Sequence, residues 1–542
     1  MAEAAIGLDG AREPAALITP AYRKYALGLL LAIYTVNFLD RQIINTIGES
    51  IKTDLHLTDS QIGALGGIYF AALYTILGIP IAWMADRRHR PTIMTLSLAV
   101  WSGFTVMAGV ARSYAVLAIA RTGVGIGEAG CSPTAHSLLA DYFPKEKRAT
   151  ALAIYSMGIS LGTLLGMAIG GIVAEKHGWR VAFFVAGAPG LLFAVIALLT
   201  LREPRSRLVR DARNARSAIP LLMVFTALEK RPTFWLFSLG GAFSSFVSYA
   251  HSQFLTPFFL RNHLAELTTL AGQFGMAPAP GAPPLGFVSL ALGLAAGIGG
   301  AFGSWLGGAL ADKLGAKDIR NFALFPLVIP LLCIPVIWYV ASTDNMTVAL
   351  LLMLIPNIGV GSWWGSVYGG VQSLVPTPMR SLSAATALFV INIIGLGGGP
   401  TAFGAVTDLM TNHNLLGAGL DVGLCKTATG AAKAACAAAS AHGIKTTVYL
   451  STLALPVAML CFLITRWTIA KDMDNAEVLP AAPMPAARLA GYMAVFGAFP
   501  GAFLAHASGG TFLAGALVGA GLGVVAAFTI AASGRRQIAQ AL

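Results

Sequence analysis

The feature that most constrains this chain is a succession of apolar runs, each about as long as a bilayer-crossing helix, set apart by short polar stretches. A helix needs about 20 apolar residues to cross the hydrocarbon of a membrane. In hydrocarbon every backbone N–H and C=O must find a partner inside the element, which leaves helices or a closed barrel. Barrel strands alternate apolar and polar residues; these runs are continuous. They fall near 24–47, 60–84, 91–111, 114–141, 149–174, 179–201, 233–259, 286–311, 321–342, 346–374, 382–410 and 446–470, with two further segments near 489–506 and 511–533. Only 11% of the 542 residues are charged, against roughly 25% in soluble chains. The expectation is an all-α polytopic membrane protein.

The net charge of +12 is a topology signal, because the basic residues sit in loops. Arg87, Arg88 and Arg90 follow the second run; Lys145, Lys147 and Arg148 the fourth; Arg202, Arg205, Arg207, Arg210, Arg213 and Arg216 the sixth; Lys313, Lys317 and Arg320 the eighth. The positive-inside rule then puts both termini and the central loop in the cytoplasm. No nucleic-acid partner is expected. The polar start "MAEAAIGLDGAREPAALITP" has no cleavable-signal pattern, so the first run is expected to target a multi-pass protein to a bacterial inner (plasma) membrane.

The expected organisation is a cytoplasmic tail (1–22), a six-helix bundle (23–202), a cytoplasmic linker (203–231), a second six-helix bundle (232–471), a linker (472–488) and a hydrophobic hairpin (489–534). The linker stretch "SAIPLLMVFTALEKRP" fits an amphipathic helix on the membrane face or a solvated tether. The hairpin has two readings, spanning or interfacial. Five cysteines show no zinc spacing. Cys425 and Cys436 lie in the outer loop 411–445, which in a bacterium faces an oxidising compartment, and both a disulfide and two free thiols fit.

The second half repeats the first. "AWMADRRHR" (82–90) matches "GALADKLGAK" (308–317), aligning Asp86 with Asp312; "FPKEKR" (143–148) matches "VPTPMR" (375–380); "GTLLGMAIGG" (162–171) matches "GLGGGPTAFG" (395–404). Parallel six-helix repeats place a substrate site between the halves near the membrane midplane.

These motifs resemble those of the major facilitator superfamily over residues 20–470. The two Asp86 and Asp312 loops look like its loop 2–3 motif and the loop 8–9 copy. "RTGVGIGEAG" (121–130) looks like its fourth-helix motif, "GISLGTLLGMAIGG" (158–171) like its fifth-helix glycine motif, and "GWRVAFF" (178–184) like the start of its sixth helix. Ala82, His89 and Met167 depart from the usual residues. Within the superfamily, "VNFLDRQIIN" followed by "IKTDLHLTDSQIGAL" resembles the Spinster family, which moves sphingolipids and lysophospholipids. The resemblance implies the major facilitator fold and alternating access. It also implies a conformational latch of Asp86, Arg87, Asp141, Asp312 and Lys313, with Arg87 able to pair with Asp141.

Ionisable groups in a span are costly and mark function. The first run carries Asp40 and Arg41. Neighbours on a helix point about 100° apart, so each needs its own partner. The fourth run carries Arg121 and Glu128, two turns apart on one face. The economical expectation is a proton-coupling cluster of Asp40, Arg41, Arg121 and Glu128, with an arginine freed by protonation to bind a lipid phosphate. Asn37 extends the polar face. His251, Asn357, Trp363, Trp364 and Tyr368 are weaker cavity candidates, each also compatible with packing. Gly158, Gly162, Gly166 and Gly170 recur every four residues, a bare stripe against which a neighbouring backbone can pack; Gly395, Gly399 and Pro400 repeat it in the other half, and a hinge role is implied by the resemblance alone.

No phosphate-binding Gly-x-x-x-x-Gly-Lys motif, metal cluster or nucleophile–base constellation is present in the sequence. The expectation is therefore a monomeric, cofactor-free, proton-coupled secondary transporter for amphipathic lipids rather than an enzyme. A broad drug/proton antiporter or a passive lipid facilitator are the alternatives.

Overall fold

The computed structural model describes residues 18–204, 221–376, 379–420 and 428–478, together with Cys425 and scattered positions between 484 and 498. Most of the expected hairpin, and the arginine-rich part of the central linker, lie outside the described residues. What is described is all-helical.

The first half comprises α1 (Pro20–Leu55), α2 (Asp59–Gly66), α3 (Ile68–Arg87), α4 (Arg90–Gly109), α5 (Tyr114–Glu128), α6 (Cys131–Tyr142), α7 (Lys145–His177) and α8 (Trp179–Thr200). A short linker helix, α9 (Leu221–Glu229), buries Val224, Ala227 and Leu228. The second half comprises α10 (Pro232–Asn262), α11 (Leu264–Gln273), α12 (Leu285–Gly315), α13 (Leu324–Ser342), α14 (Met346–Leu352), α15 (Leu354–Ser373), α16 (Arg380–Ile391), α17 (Gly399–Gly417), α18 (Gly430–Ser451) and α19 (Ala454–Asp474). A π-helical turn, Asn392–Gly398, joins α16 to α17. With the short α9 and α11 set aside, and α2–α3, α5–α6, α14–α15, α16–α17 and α18–α19 each forming one interrupted rod, the described residues make twelve rods. Ten helical stretches are long and apolar enough to cross a membrane by length and composition.

Local signals set the rod ends. Thr19 caps α1 and Pro20 stands where a missing N–H costs nothing. The rod stops where His56 turns left-handed at φ 52°. Thr58 and Gln61 then form a reciprocal capping box on α2. Thus α1 runs from the end that carries the linker (the linker face) to the opposite face.

The glycine stripe of α7 lies on α1. A Cβ at Gly162 would sit 2.6 Å from Phe38 Cβ, and one at Gly166 would sit 2.7 Å from the Leu39 carbonyl oxygen. In the second half, a Cβ at Gly399 would strike the α10 backbone at Phe246. Pro400 packs where α2 crosses α17, its carbonyl facing Gly63.

Packing shows how the halves meet. Toward the opposite face one core joins them, with Ile43, Ile47 and Leu65 packed in the same cluster as Phe254, Phe258 and Phe403. Toward the linker face the cores are largely separate, one built on Trp101, Tyr142 and Tyr155 and the other on Phe234, Phe237 and Phe462. The α7–α12 seam follows suit: Gly286, Gly293 and Gly297 abut α7, whereas a Cβ at Gly300 or Gly308, on the same helix face nearer the linker side, would meet nothing within 4 Å. The halves close on the opposite face and part toward the linker face. The expected loop 411–445 is helical up to Gly417 and again from Gly430, and a disulfide joins Cys425 to Cys436 of α18 with Cα atoms 5.7 Å apart.

Candidate functional site

Four rods of the first half bring the charged side chains together. The close α1–α7 approach holds Asp40 and Arg41 at mid-length. Glu128 is the last residue of α5, just before the interruption at Ala129 and Gly130. Glycines let α5 press on its neighbours: a Cβ at Gly127 would lie 2.7 Å from Trp101 Cβ, and one at Gly123 would collide with the Phe104 ring.

Arg41 Nε donates to Glu128 Oε2 at 2.5 Å, and the two side chains are 13% and 0% exposed. The Arg41 guanidinium also lies over three rings, 5.0 Å from the centroids of Phe38 and Phe70 and 4.7 Å from Tyr74. Each such contact contributes about 0.5–2 kcal/mol. Asp40 points elsewhere, as helix geometry requires. It is fully buried, and Thr105 Oγ1 of α4 lies 3.2 Å from its Oδ2. Arg121 donates to the Leu65 carbonyl at 3.1 Å, stacks on Phe70 at 5.2 Å, and interacts electrostatically with both Glu128 and Asp40. The Asn37 side chain faces Glu128, and the Trp101 indole faces Asp40.

The second half contributes aromatic surface. Trp363, Trp364 and Tyr368 form a stack with centroid spacings of 4.2 and 5.3 Å. Trp363 is 3% exposed and serves packing against Gly241. Tyr368 interacts electrostatically with Tyr74, Tyr249 and Tyr34, so phenols from both halves meet beside Arg41.

Two of the weaker cavity candidates lie elsewhere. His251 is turned into the second half, where its Nε2 meets Ser451 Oγ at 2.8 Å beside Leu255, Ile337 and Val448. Asn357 donates back to the Met353 carbonyl of its own rod at 2.8 Å. In both cases a polar side chain in an apolar bundle is satisfied locally.

Of the expected latch residues, Asp141, Asp312 and Lys313 have described side chains. Asp141 pairs with Arg90 at 2.7 Å, and Arg90, fully buried, also grips Glu203 and the Ser137 carbonyl. The loop arginine that looked like a topology marker is thus the buried hub joining α4, α6 and the end of α8. The side chains of Asp86 and Arg87 lie outside the described residues. Asp312 and Lys313 are exposed on the last turn of α12 and form no ion pair among the described residues.

Sequence reasoning overlooked Phe70, Tyr74 and Thr105. The first two were legible as aromatics spaced i, i+4 on one helical face; nothing in the sequence pairs Thr105 with Asp40.

The bundle of twelve rods in two halves, with two arginines and two carboxylates buried in the first half, agrees with a family match of the sequence. Residues 30–402 fit that of the Major Facilitator Superfamily. The chain belongs to the major facilitator superfamily. Among major facilitator proteins, it is 31% identical over 394 residues to an "MFS-type efflux pump" of Mycolicibacterium smegmatis, covering 71% of this chain and 85% of that one. It is 24% identical over 409 residues to human "Protein spinster homolog 1", covering 73% and 75%. A solved bacterial homologue of the human lysosomal transporter Spinster, in an inward-facing and unoccupied conformation, superposes with a TM-score of 0.72 at 30% identity, covering 84% of this chain and 99% of that one. The same homologue in an inward-facing and occupied conformation gives 0.72 at 31% identity. This chain is a multi-pass membrane transporter of that superfamily.

Proposed function

We propose that the protein is a proton-coupled secondary transporter that moves an amphipathic lipid with an anionic headgroup, of the lysophospholipid or sphingolipid type. The observation that carries this reading is the pairing of Arg41 with Glu128 instead of its neighbour Asp40. A proton arriving at Glu128 breaks that pair. The freed guanidinium, still held by Phe38, Phe70 and Tyr74, is then available to a phosphate. Asp40 is the second proton site: it is fully buried, and the Thr105 hydroxyl that donates to it at 3.2 Å can turn to the Trp101 carbonyl at 3.0 Å when Asp40 is protonated. The aromatic face of Trp364 and Tyr368 suits the apolar body of the same substrate.

In this reading the linker face is cytoplasmic, because the loop arginines gather there, and the protein works as a monomer in a bacterial inner membrane without a cofactor. The test is uptake of labelled lysophospholipid into proteoliposomes with and without a pH gradient. The wild type should respond to the gradient and Glu128→Gln should not. Lipid movement blind to the gradient in the wild type would leave a passive facilitator. The efflux-pump name of the mycobacterial relative favours a second reading, a broad drug/proton antiporter. Gradient-driven movement of an amphipathic dye, unaffected by excess lysolipid, would select it.

A further inference from the structure

The charged cluster at the opposite face plays no part in the chemistry above, yet among the described residues it holds the densest set of polar contacts between the halves. Arg261, in the last turn of α10, reaches across to the first half. Its Nε donates to Glu49 Oε1 at 3.0 Å and its Nη2 to Glu49 Oε2 at 2.6 Å. Nη2 also donates to Asp59 Oδ1 at 2.7 Å, and Nη1 to Asp59 Oδ2 at 2.9 Å and Ser440 Oγ at 3.2 Å. A guanidinium has five N–H donors in a rigid fork, and these five contacts occupy all of them. Lys52 Nζ adds a second cation on Asp59 at 2.8 Å. The exchange is reciprocal. Asp408 of α17 accepts the backbone N–H groups of Asp59 and Ser60 at 3.0 and 2.8 Å, and the Ser60 hydroxyl at 2.5 Å. It therefore caps the first turn of α2 from the other half.

This cluster shares a helix face with the central site. Arg41, Asn45 and Glu49 stand four residues apart on α1, so they form one stripe. Its inner member holds Glu128. Its middle member, Asn45, donates to Gln42 and Ser252 at 3.0 and 3.2 Å, with Ser252 donating in turn to Gln42 at 3.1 Å. Its outer member holds Arg261. The α1–α10 seam is thus fastened at two levels, Asn45 with Ser252 and Glu49 with Arg261, in line with the Arg41–Glu128 pair that ties α1 to α5.

We infer that Arg261 is the lock of the opposite-face gate: a fork donated by the second half that holds Glu49 and Asp59 of the first half together and must let go for the protein to open outward. The Asp408 cap is its counterpart in the reverse direction, and movement of α1 at Arg41 is transmitted to Glu49 along the shared stripe. The fork is what matters, because lysine at 261 keeps the charge and loses the bidentate geometry.

The test is conformational and needs neither substrate nor proton gradient, so it stands or falls separately from the proposed function. Spin labels go on Thr53→Cys and Leu416→Cys, exposed sites at the outer ends of α1 and α17, in a full-length background with the free Cys131, Cys333 and Cys461 replaced. The unmodified gate should give one short distance distribution. Arg261→Gln should raise the ratio of long-distance to short-distance molecules by at least about tenfold, and Arg261→Lys should give an intermediate rise. Distributions for both that superimpose on the parent overturn the inference. If Arg261→Gln does not yield monodisperse protein, Glu49→Gln and Asp408→Asn, which each remove one arm, should shift the ratio in the same direction; parent-like distributions for that pair overturn it equally.

Discussion

Replacing Glu128 with glutamine removes the acid from an ion pair whose carboxylate side is fully buried and whose arginine is 13% exposed. Breaking one partner of a buried pair costs about 3–5 kcal/mol, because the remaining charge is left uncompensated. Three features of this site pull the cost toward the lower end. Phe38, Phe70 and Tyr74 stay under the guanidinium, Asp40 remains nearby as the other acid, and glutamine keeps the shape. The expected loss for Glu128→Gln is about 3 kcal/mol. Arg41→Gln should cost about as much, since Glu128 then has Arg121 as its remaining base. The double variant Arg41→Gln/Glu128→Gln leaves neither charge stranded, and its loss should fall short of the sum by about 2 kcal/mol. Titration of purified protein from mild detergent into denaturing mixed micelles, followed by tryptophan fluorescence, measures all four corners of the cycle. Losses that add to within about 0.5 kcal/mol would mean the two side chains do not act as a pair, and the proton-release scheme would lose its basis.

Other outcomes follow from the same geometry. Arg90→Gln should lower stability by about 3–5 kcal/mol, and Arg90→Lys should recover only part of it, because one ammonium cannot serve Asp141, Glu203 and the Ser137 carbonyl together; melting of the detergent-solubilised protein reads both. Gly166→Val should cost about 1–3 kcal/mol by overpacking against Leu39, while Gly300→Ala, with open space around its Cβ, should be near neutral in the same assay. His263, at the turn after α10, is held below its usual pKa by burial, with Lys445 acting in the same direction and Glu266 and Asp344 against it. A depressed histidine pKa leaves stability complete above the unfolded value and removes it on acidification. Melting temperature should therefore fall below about pH 6.5, less steeply in His263→Gln; parallel profiles would refute the assignment.

The sequence was most informative where its signal is local. Run length and continuity specified membrane helices; four-residue glycine spacing specified the close face of α7; and the divergence of adjacent side chains separated Asp40 from Arg41 before any partner was visible. The site was partly legible for the same reason: intramembrane charges are rare enough that four of them point to one another. His251 and Asn357 were not resolved by that logic, since a polar side chain in an apolar run reads alike whether it faces a cavity or its own bundle.

What the sequence by itself determined, then, is the class of the protein and the four charges set inside its apolar runs, because hydrocarbon burial penalises each residue wherever the chain takes it. Only the tertiary structure decided who pairs with whom. Arg90, a loop arginine by sequence, became the buried partner of Asp141. Thr105 came to Asp40 from 65 residues away. Arg261, 212 residues from Glu49, grips it across the two halves. Ion pairs depend on distances of a few ångströms between rods that meet only after the halves have packed, and no local pattern encodes that meeting.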